Sequence, residues 1–282
     1  MIREPVVAGQ FYPGNPSRLL RDVESYLGEP HPTLDALAIV SPHAGYVYSG
    51  GVAGAVFASV RLPKRFIVLG PNHTGMGASL ALAPAGEWRT PLGLISIDEA
   101  LNRRLLEECP LLHEDRAAHF REHSIEVQLP FLQARLHDFS LAAICVGTGD
   151  YQTLEKLGRA MARVVRSLSE PTLIVCSSDM NHYESADVAS EKDHLAIDRM
   201  LVLDARGLHD VVREMQITMC GFAPAVAALT ACRDLGASTA KLIRYANSGE
   251  VSGDFGSVVG YAGLAVISPA RAPAAAAGGD AG

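Results

Sequence analysis

A chain of 282 residues with 48% hydrophobic content and a mean hydropathy of +0.15 can bury a substantial core, and reads as one large domain rather than two. A net charge of −7, from 24 basic and 31 acidic side chains with no concentrated Lys/Arg run, argues against nucleic acid and anionic membrane as partners. The apolar runs stop well short of the ~20 residues that a membrane span needs.

In chain order, the opening stretch MIREPVVAGQFYPG carries acid and proline where a signal peptide would be apolar, so a cytoplasmic protein is expected. Leu37 to Ser41 is a short, continuously apolar run, as are Phe66 to Leu69, Leu141 to Val146, Leu173 to Cys176 and Val258 to Val266. Each is too short for a helix and too apolar for a half-exposed strand, which predicts strands buried on both faces. Helix-period stretches lie between them: GGVAGAVFASV, DEALNRRLLEEC, TLEKLGRAMARVVRSL, ASEKDHLAIDRMLVLD and FAPAVAALTACRDLG. The alternation predicts a single α/β domain over residues 1–268, with a largely parallel central sheet flanked by helices. Residues 269–282, which end in ARAPAAAAGGDAG, offer almost nothing to bury and are expected to form a disordered tail.

Three of the ten histidines follow strands in similar contexts: His43 in LAIVSPHAG, His73 in FIVLGPNHTG, and His182 with Asp179 in LIVCSSDMNH. Strands of a parallel sheet end along one edge, so these residues are expected to converge. Two histidines from adjacent strand ends suit a borderline transition metal, because neutral imidazole is a good ligand for such ions. Asp179, Glu126 and Cys220 are all conceivable as the third ligand. Four of the five cysteines, Cys109, Cys145, Cys176 and Cys232, sit in apolar or helical contexts and are expected to be reduced core residues. Cys220, in QITMCGFAPAV, precedes an apparent helix, and a helix N-terminus favours a low-pKa thiolate.

The segment HFREHSIEVQLPFL contains His119, Glu122, His123 and Glu126. It is not a zincin HExxH motif, because Phe120 stands where glutamate is needed. Support of a metal ligand by a carboxylate or histidine is the expected role of this segment, rather than direct ligation. His31, His113, His137, His194 and His209 lie in polar or charged surroundings and are expected at the surface.

On the segments REPVVAGQFYPGN, SPHAGYVYSGGVAG, GPNHTG, WRTPLG, REHSIEVQLPFL, SSDMNHY and MCGFAP, in that order, the chain resembles the Memo family of the AmmeMemoRadiSam set. The resemblance spans nearly everything from Arg3 to Gly263. It implies a fold like the LigB-type class III extradiol dioxygenases, which use non-haem Fe(II). It further implies that His43 and His73 are metal ligands and that Cys220 stands where those dioxygenases have a ligating glutamate. His182 would handle protons, with Asp179 beside it.

A thiolate favours softer ions than a carboxylate does, so Cu or Zn is open beside Fe(II), and ring cleavage does not transfer from the fold alone. Three readings follow: an iron- or copper-dependent oxidoreductase, a Zn-dependent hydrolase, and a non-enzymatic metal- or peptide-binding module. The resemblance also implies association with Ammecr-type and radical SAM proteins, and either a small-molecule substrate or a peptide as ligand.

Overall fold

The computed structural model of the chain describes residues 1–29 and 34–268. The expected tail, residues 269–282, and His31 lie outside the described residues. Every apolar run picked out above forms a strand: Ala36–Ser41, Arg65–Pro71, Ser140–Val146, Thr172–Ser177 and Val258–Ile267. Side chains alternate across a strand, so a run apolar at every position must be covered on both sides. Ile67, Leu69, Ile144 and Ile174 enter one core, while Phe66, Val68, Leu141 and Leu173 enter another. The first core includes residues of the helices Glu99–Glu108, Tyr151–Ser167 and Phe222–Asp234. The second includes residues of Pro16–Leu27, Tyr46–Ser59 and Leu129–Arg135.

Five strands run parallel in the order Gly93–Ile97, Ser140–Val146, Arg65–Pro71, Thr172–Ser177 and Ala36–Ser41. Val258–Ile267 continues the sheet antiparallel to Ala36–Ser41, because it returns from the strand Ala240–Asn247 as the second arm of a hairpin. One expectation is corrected here. The strands that precede His43 and His73 are not neighbours, since Thr172–Ser177 lies between them and pairs with both. The two histidines therefore flank the strand that leads to Asp179 and His182.

The sequence reading missed the helices Pro16–Leu27 and Ala205–Glu214 and the strand Ala240–Asn247. Pro16–Leu27 is announced only by its cap: Asn15 Oδ1 accepts the Arg18 N–H at 3.0 Å, and proline opens the first turn. This helix packs so closely on Tyr46–Ser59 that a Cβ at Gly54 would lie 2.3 Å from the Tyr26 carbonyl oxygen. The obstacle is backbone, which cannot swing aside as a side chain can. Gly54→Val is therefore expected to destabilise the fold by about 1–3 kcal/mol. Thermal unfolding checks this; an unchanged Tm would show that the two helices separate at little cost.

Candidate functional site

Ser41 and Ser177 pair in register at the ends of neighbouring parallel strands. Two residues further along each chain, His43 and Asp179 consequently come together. Asp179 Oδ1 accepts the backbone N–H groups of His43 at 2.7 Å and Ala44 at 3.3 Å, which fixes the loop that leads into the helix Tyr46–Ser59. Burial raises the Asp179 carboxyl above its ordinary range, against the lowering effect of the His43 N–H.

The hydrogen bonds of His43 determine its tautomer. Its Nδ1 lies 2.8 Å from Ser177 Oγ, and Ser177 gives its only proton to the Ser124 carbonyl at 2.6 Å. Gln128 Nε2 also donates to Ser177 Oγ, at 2.7 Å. His43 Nδ1 must therefore be the donor, which leaves the lone pair on Nε2. His73 is held in the same sense by a different partner: its Nδ1 is 2.9 Å from Glu122 Oε1, and its backbone N–H donates to Glu122 Oε2 at 2.6 Å. An ionised carboxylate only accepts, so the neutral His73 ring also carries its lone pair on Nε2.

Glu122 is buried, and burial alone would raise its pKa. The His73 ring and the N–H groups of Ser124 and His73 outweigh that penalty and bring it to about 2. Burial lowers the His73 pKa, but the Glu122 bond overrides it and the net shift is upward. His43 moves strongly the other way, through burial first and then repulsion from His73 and His123.

His123 is the third member of the cluster. Its ring stacks on His73 at 4.9 Å and 19°, and meets His43 edge-on at 5.5 Å. One ring nitrogen each from His43, His73 and His123 lie within 4.8 Å of one another. Exposure is graded, with His43 buried, His123 intermediate and His73 exposed, so the cluster opens to solvent on the His73 side. Within the 119–126 segment, Glu122 orients the His73 ring, whereas His123 stands among the candidate ligands. His119 points elsewhere, with Nε2 on the Ala81 carbonyl at 3.1 Å.

Glu126 is not in the cluster. It is fully buried and takes Arg3 Nη1 at 2.5 Å, the Tyr12 hydroxyl at 2.6 Å and the N–H groups of Val6 and Val7, so it anchors the N-terminal segment.

Cys220 reaches the cluster, with Sγ 3.3 Å from His43 Nε2 and 3.7 Å from the Asp179 carbonyl. It is half-buried, whereas Cys109, Cys145, Cys176 and Cys232 are buried and free, as expected. The expected low-pKa thiolate is corrected. Burial, and then the Asp179 carboxylate, push the thiol well above its ordinary value. The helix it precedes begins at Phe222, and the Cys220 sulfur faces His43 and the Asp179 carbonyl.

His182 is half-buried on the strand His182–Glu184, and its Nδ1 lies 3.0 Å from the Thr218 carbonyl, so its Nε2 is unprotonated in the neutral ring. Tyr183 beside it is a non-glycine residue at φ 63° and 78% exposed, a strained backbone position that displays an aromatic ring to solvent. Of the histidines expected at the surface, His113, His137 and His194 are exposed. His209 is instead buried, with Nε2 on the Gly149 carbonyl at 3.0 Å and Nδ1 on Asp210 at 2.9 Å.

A mainly parallel sheet covered on both faces, with three imidazoles and a thiol converging beyond the carboxyl ends of its strands, defines an α/β protein with a metal-competent site at the strand edge. The Memo-like protein family matches residues 3–265. MEMO1 family proteins of Methanopyrus kandleri and Methanosarcina barkeri are 40% and 41% identical to the chain, each over 94% of it and over 98% and 100% of their own lengths. One from Aquifex aeolicus is 39% identical over 93% of this chain and 98% of its own. Among solved structures, the uncharacterized protein JW3007 of Escherichia coli K12 shares the fold, with a TM-score of 0.57 at 13% identity over 81% of this chain and 98% of that one. The chain belongs to the Memo-like family. No helix among the described residues is long and apolar enough to cross a membrane.

Glu122 orients His73 and ties down residues 122–124, so its loss should act on ligand geometry before it acts on the fold. Glu122→Gln is expected to lower affinity for a bound transition metal by about 10–100-fold. Competition with a chromogenic chelator measures this, and unchanged affinity would detach Glu122 from the ligand set.

Proposed function

We propose that the chain is a metal-dependent oxidoreductase whose ion is held by His43, His73 and Cys220, with His123 on the same cluster and His182 serving as acid/base. The observation that supports this most directly is the pair of enforced tautomers: Ser177 and Glu122 each occupy an Nδ1 and leave the Nε2 of His43 and His73 as lone-pair donors. A histidine serving only to hydrogen-bond its loop would not need its free nitrogen beside two other rings and a thiol.

The donor set fits an ion. A sulfur at 2.3 Å and a nitrogen at 2.0–2.1 Å from a tetrahedral metal stand about 3.5 Å apart, and Cys220 Sγ stands 3.3 Å from His43 Nε2. Two imidazoles and a thiolate suit borderline or soft ions, with iron(II) our first choice and copper or zinc the alternatives. When bound, iron or copper would supply one-electron chemistry and an open coordination position for substrate or oxygen.

The chain's own residues supply the rest. Asp179 holds the His43 loop in place. His182 keeps Nδ1 on Thr218 and has Nε2 free to take or return a proton. The exposed side at His73 gives a small-molecule substrate its way in. Cys220 has a high pKa as a thiol, so loading an ion there must displace a proton.

Protein purified without oxygen is expected to carry iron or copper, and His43→Ala or His73→Ala to lose metal several-fold while remaining folded. Elemental analysis with circular dichroism checks both. Zinc alone, with no redox couple, would overturn the oxidoreductase reading and leave a metal-binding one; full occupancy in both variants would move the ion elsewhere. Metal should also protect Cys220 from alkylation, and Cys220→Ser should weaken metal binding, whereas Cys145 and Cys176 stay unreactive through burial. Peptide mass mapping with and without metal reads this, and equal labelling of Cys220 in both states with unchanged affinity in Cys220→Ser would remove the thiol from the site.

A further inference from the structure

A cavity of about 660 Å³ lies apart from the imidazole cluster, walled by residues 1–7, 83–88, Arg116 and 119–121. None of His43, His73, His123, His182 or Cys220 lines it. Its volume falls in the range that holds small organic ligands, roughly 300–1,000 Å³. The wall is largely apolar, with Ile2, Val7, Ala83, Pro84, Trp88 and Phe120. Phe120 is 64% exposed, a large aromatic ring left in water at the cavity.

The charges on the wall are unevenly satisfied. Arg3 is neutralised by Glu126, and Glu4 by Arg89. That leaves Arg116 and Arg121 without a carboxylate partner among the described residues, against one such carboxylate, Glu87. Trp88 is only 3% exposed, with Arg3 over its ring at 4.3 Å, and Arg3 also donates to the carbonyls of His119 and Glu122, so the indole is held in a fixed pose and meets the cavity over a small area.

His119 also belongs to the wall. It is buried and its Nε2 faces the Ala81 carbonyl, which can only accept, so Nδ1 carries the lone pair. That Nδ1 is buried with no partner. Burial brings the ring to a pKa of about 4, so it is neutral at physiological pH, and its Nδ1 is covered rather than open to the cavity.

We infer that this cavity is a binding site for a small aromatic carboxylate, its ring against Phe120 beside the largely buried Trp88 and its anionic group on Arg116 and Arg121. Planar guanidinium groups match a carboxylate in both charge and shape, and aromatic walls favour a ring over a flexible chain. The site is separate from the proposed metal centre and does not depend on it.

The chain reports on this site by itself, because Trp88 is its only tryptophan. The probe is 4-iodobenzoate, whose iodine quenches indole fluorescence on contact, with 4-iodobenzyl alcohol as the uncharged analogue. Saturable quenching by the acid is expected, with at least tenfold weaker apparent affinity for the alcohol. The same titration with EDTA present should give the same curve, since a carboxylate on a metal ion would otherwise mimic binding. The double variant Arg116→Ser/Arg121→Ser, with Tm unchanged, should bind the acid at least tenfold more weakly. Linear, unsaturable quenching, equal curves for acid and alcohol, a curve abolished by EDTA, or wild-type affinity in the double variant would each overturn the assignment. The comparison of acid with alcohol on the unmodified chain decides the matter should the double variant fail to fold.

Discussion

The register of Ser41 against Ser177 is the constraint on which the site depends. Once those residues are paired at the ends of parallel strands, the next two positions of each chain must emerge together, and Asp179 can take the N–H groups of His43 and Ala44. Ser177 then lies under His43 and sets its tautomer, while Ser124 and Gln128 fix Ser177. A one-residue slip would turn Ser177 to the opposite face of the sheet and dismantle this chain of hydrogen bonds.

The site places hydrogen-bonding partners behind its imidazoles and leaves neutral nitrogen in front. Glu122 pairs with His73 from behind and stays ionised despite burial, because the imidazole and three backbone N–H groups converge on it. His43 has a hydroxyl behind it instead of a carboxylate, and burial keeps it neutral. The two rings therefore differ in proton affinity while presenting the same atom. Under the proposed metal reading, a cation would replace protons on the more basic ring and the thiol, while the buried neutral ring needs no proton removed.

Glu126 shows how a carboxylate four residues away in the same motif is committed to a different purpose. It gathers Arg3, Tyr12 and two backbone N–H groups from the first twelve residues, a buried charge that is tolerable because all of its partners are charged or hydrogen-bonding. Arg3 in turn bonds the carbonyls of His119 and Glu122. The N-terminal segment is thus tied to the backbone that carries Glu122 and His123, and it forms one wall of the aromatic cavity at the same time.

The sequence by itself determined the buried strands, the main helices and the approach of His43 to His73 and Asp179, out of an expected set that also held His182, because apolar runs and strand-end contexts are local patterns that the parallel sheet converts directly into position. It also separated Cys220 from the four buried cysteines. Only the tertiary structure decided that Thr172–Ser177 lies between the strands leading to the two histidines, since strand order is a long-range choice that no local pattern records. The same holds for His123, whose segment is irregular between the short helix Ala117–Phe120 and Leu129–Arg135, so helical spacing from His119 could not place its ring. The proton affinity of Cys220 was likewise out of reach: proximity to a helix start is visible in sequence, but burial beside the Asp179 carboxylate, which raises the thiol, is a property of the assembled fold.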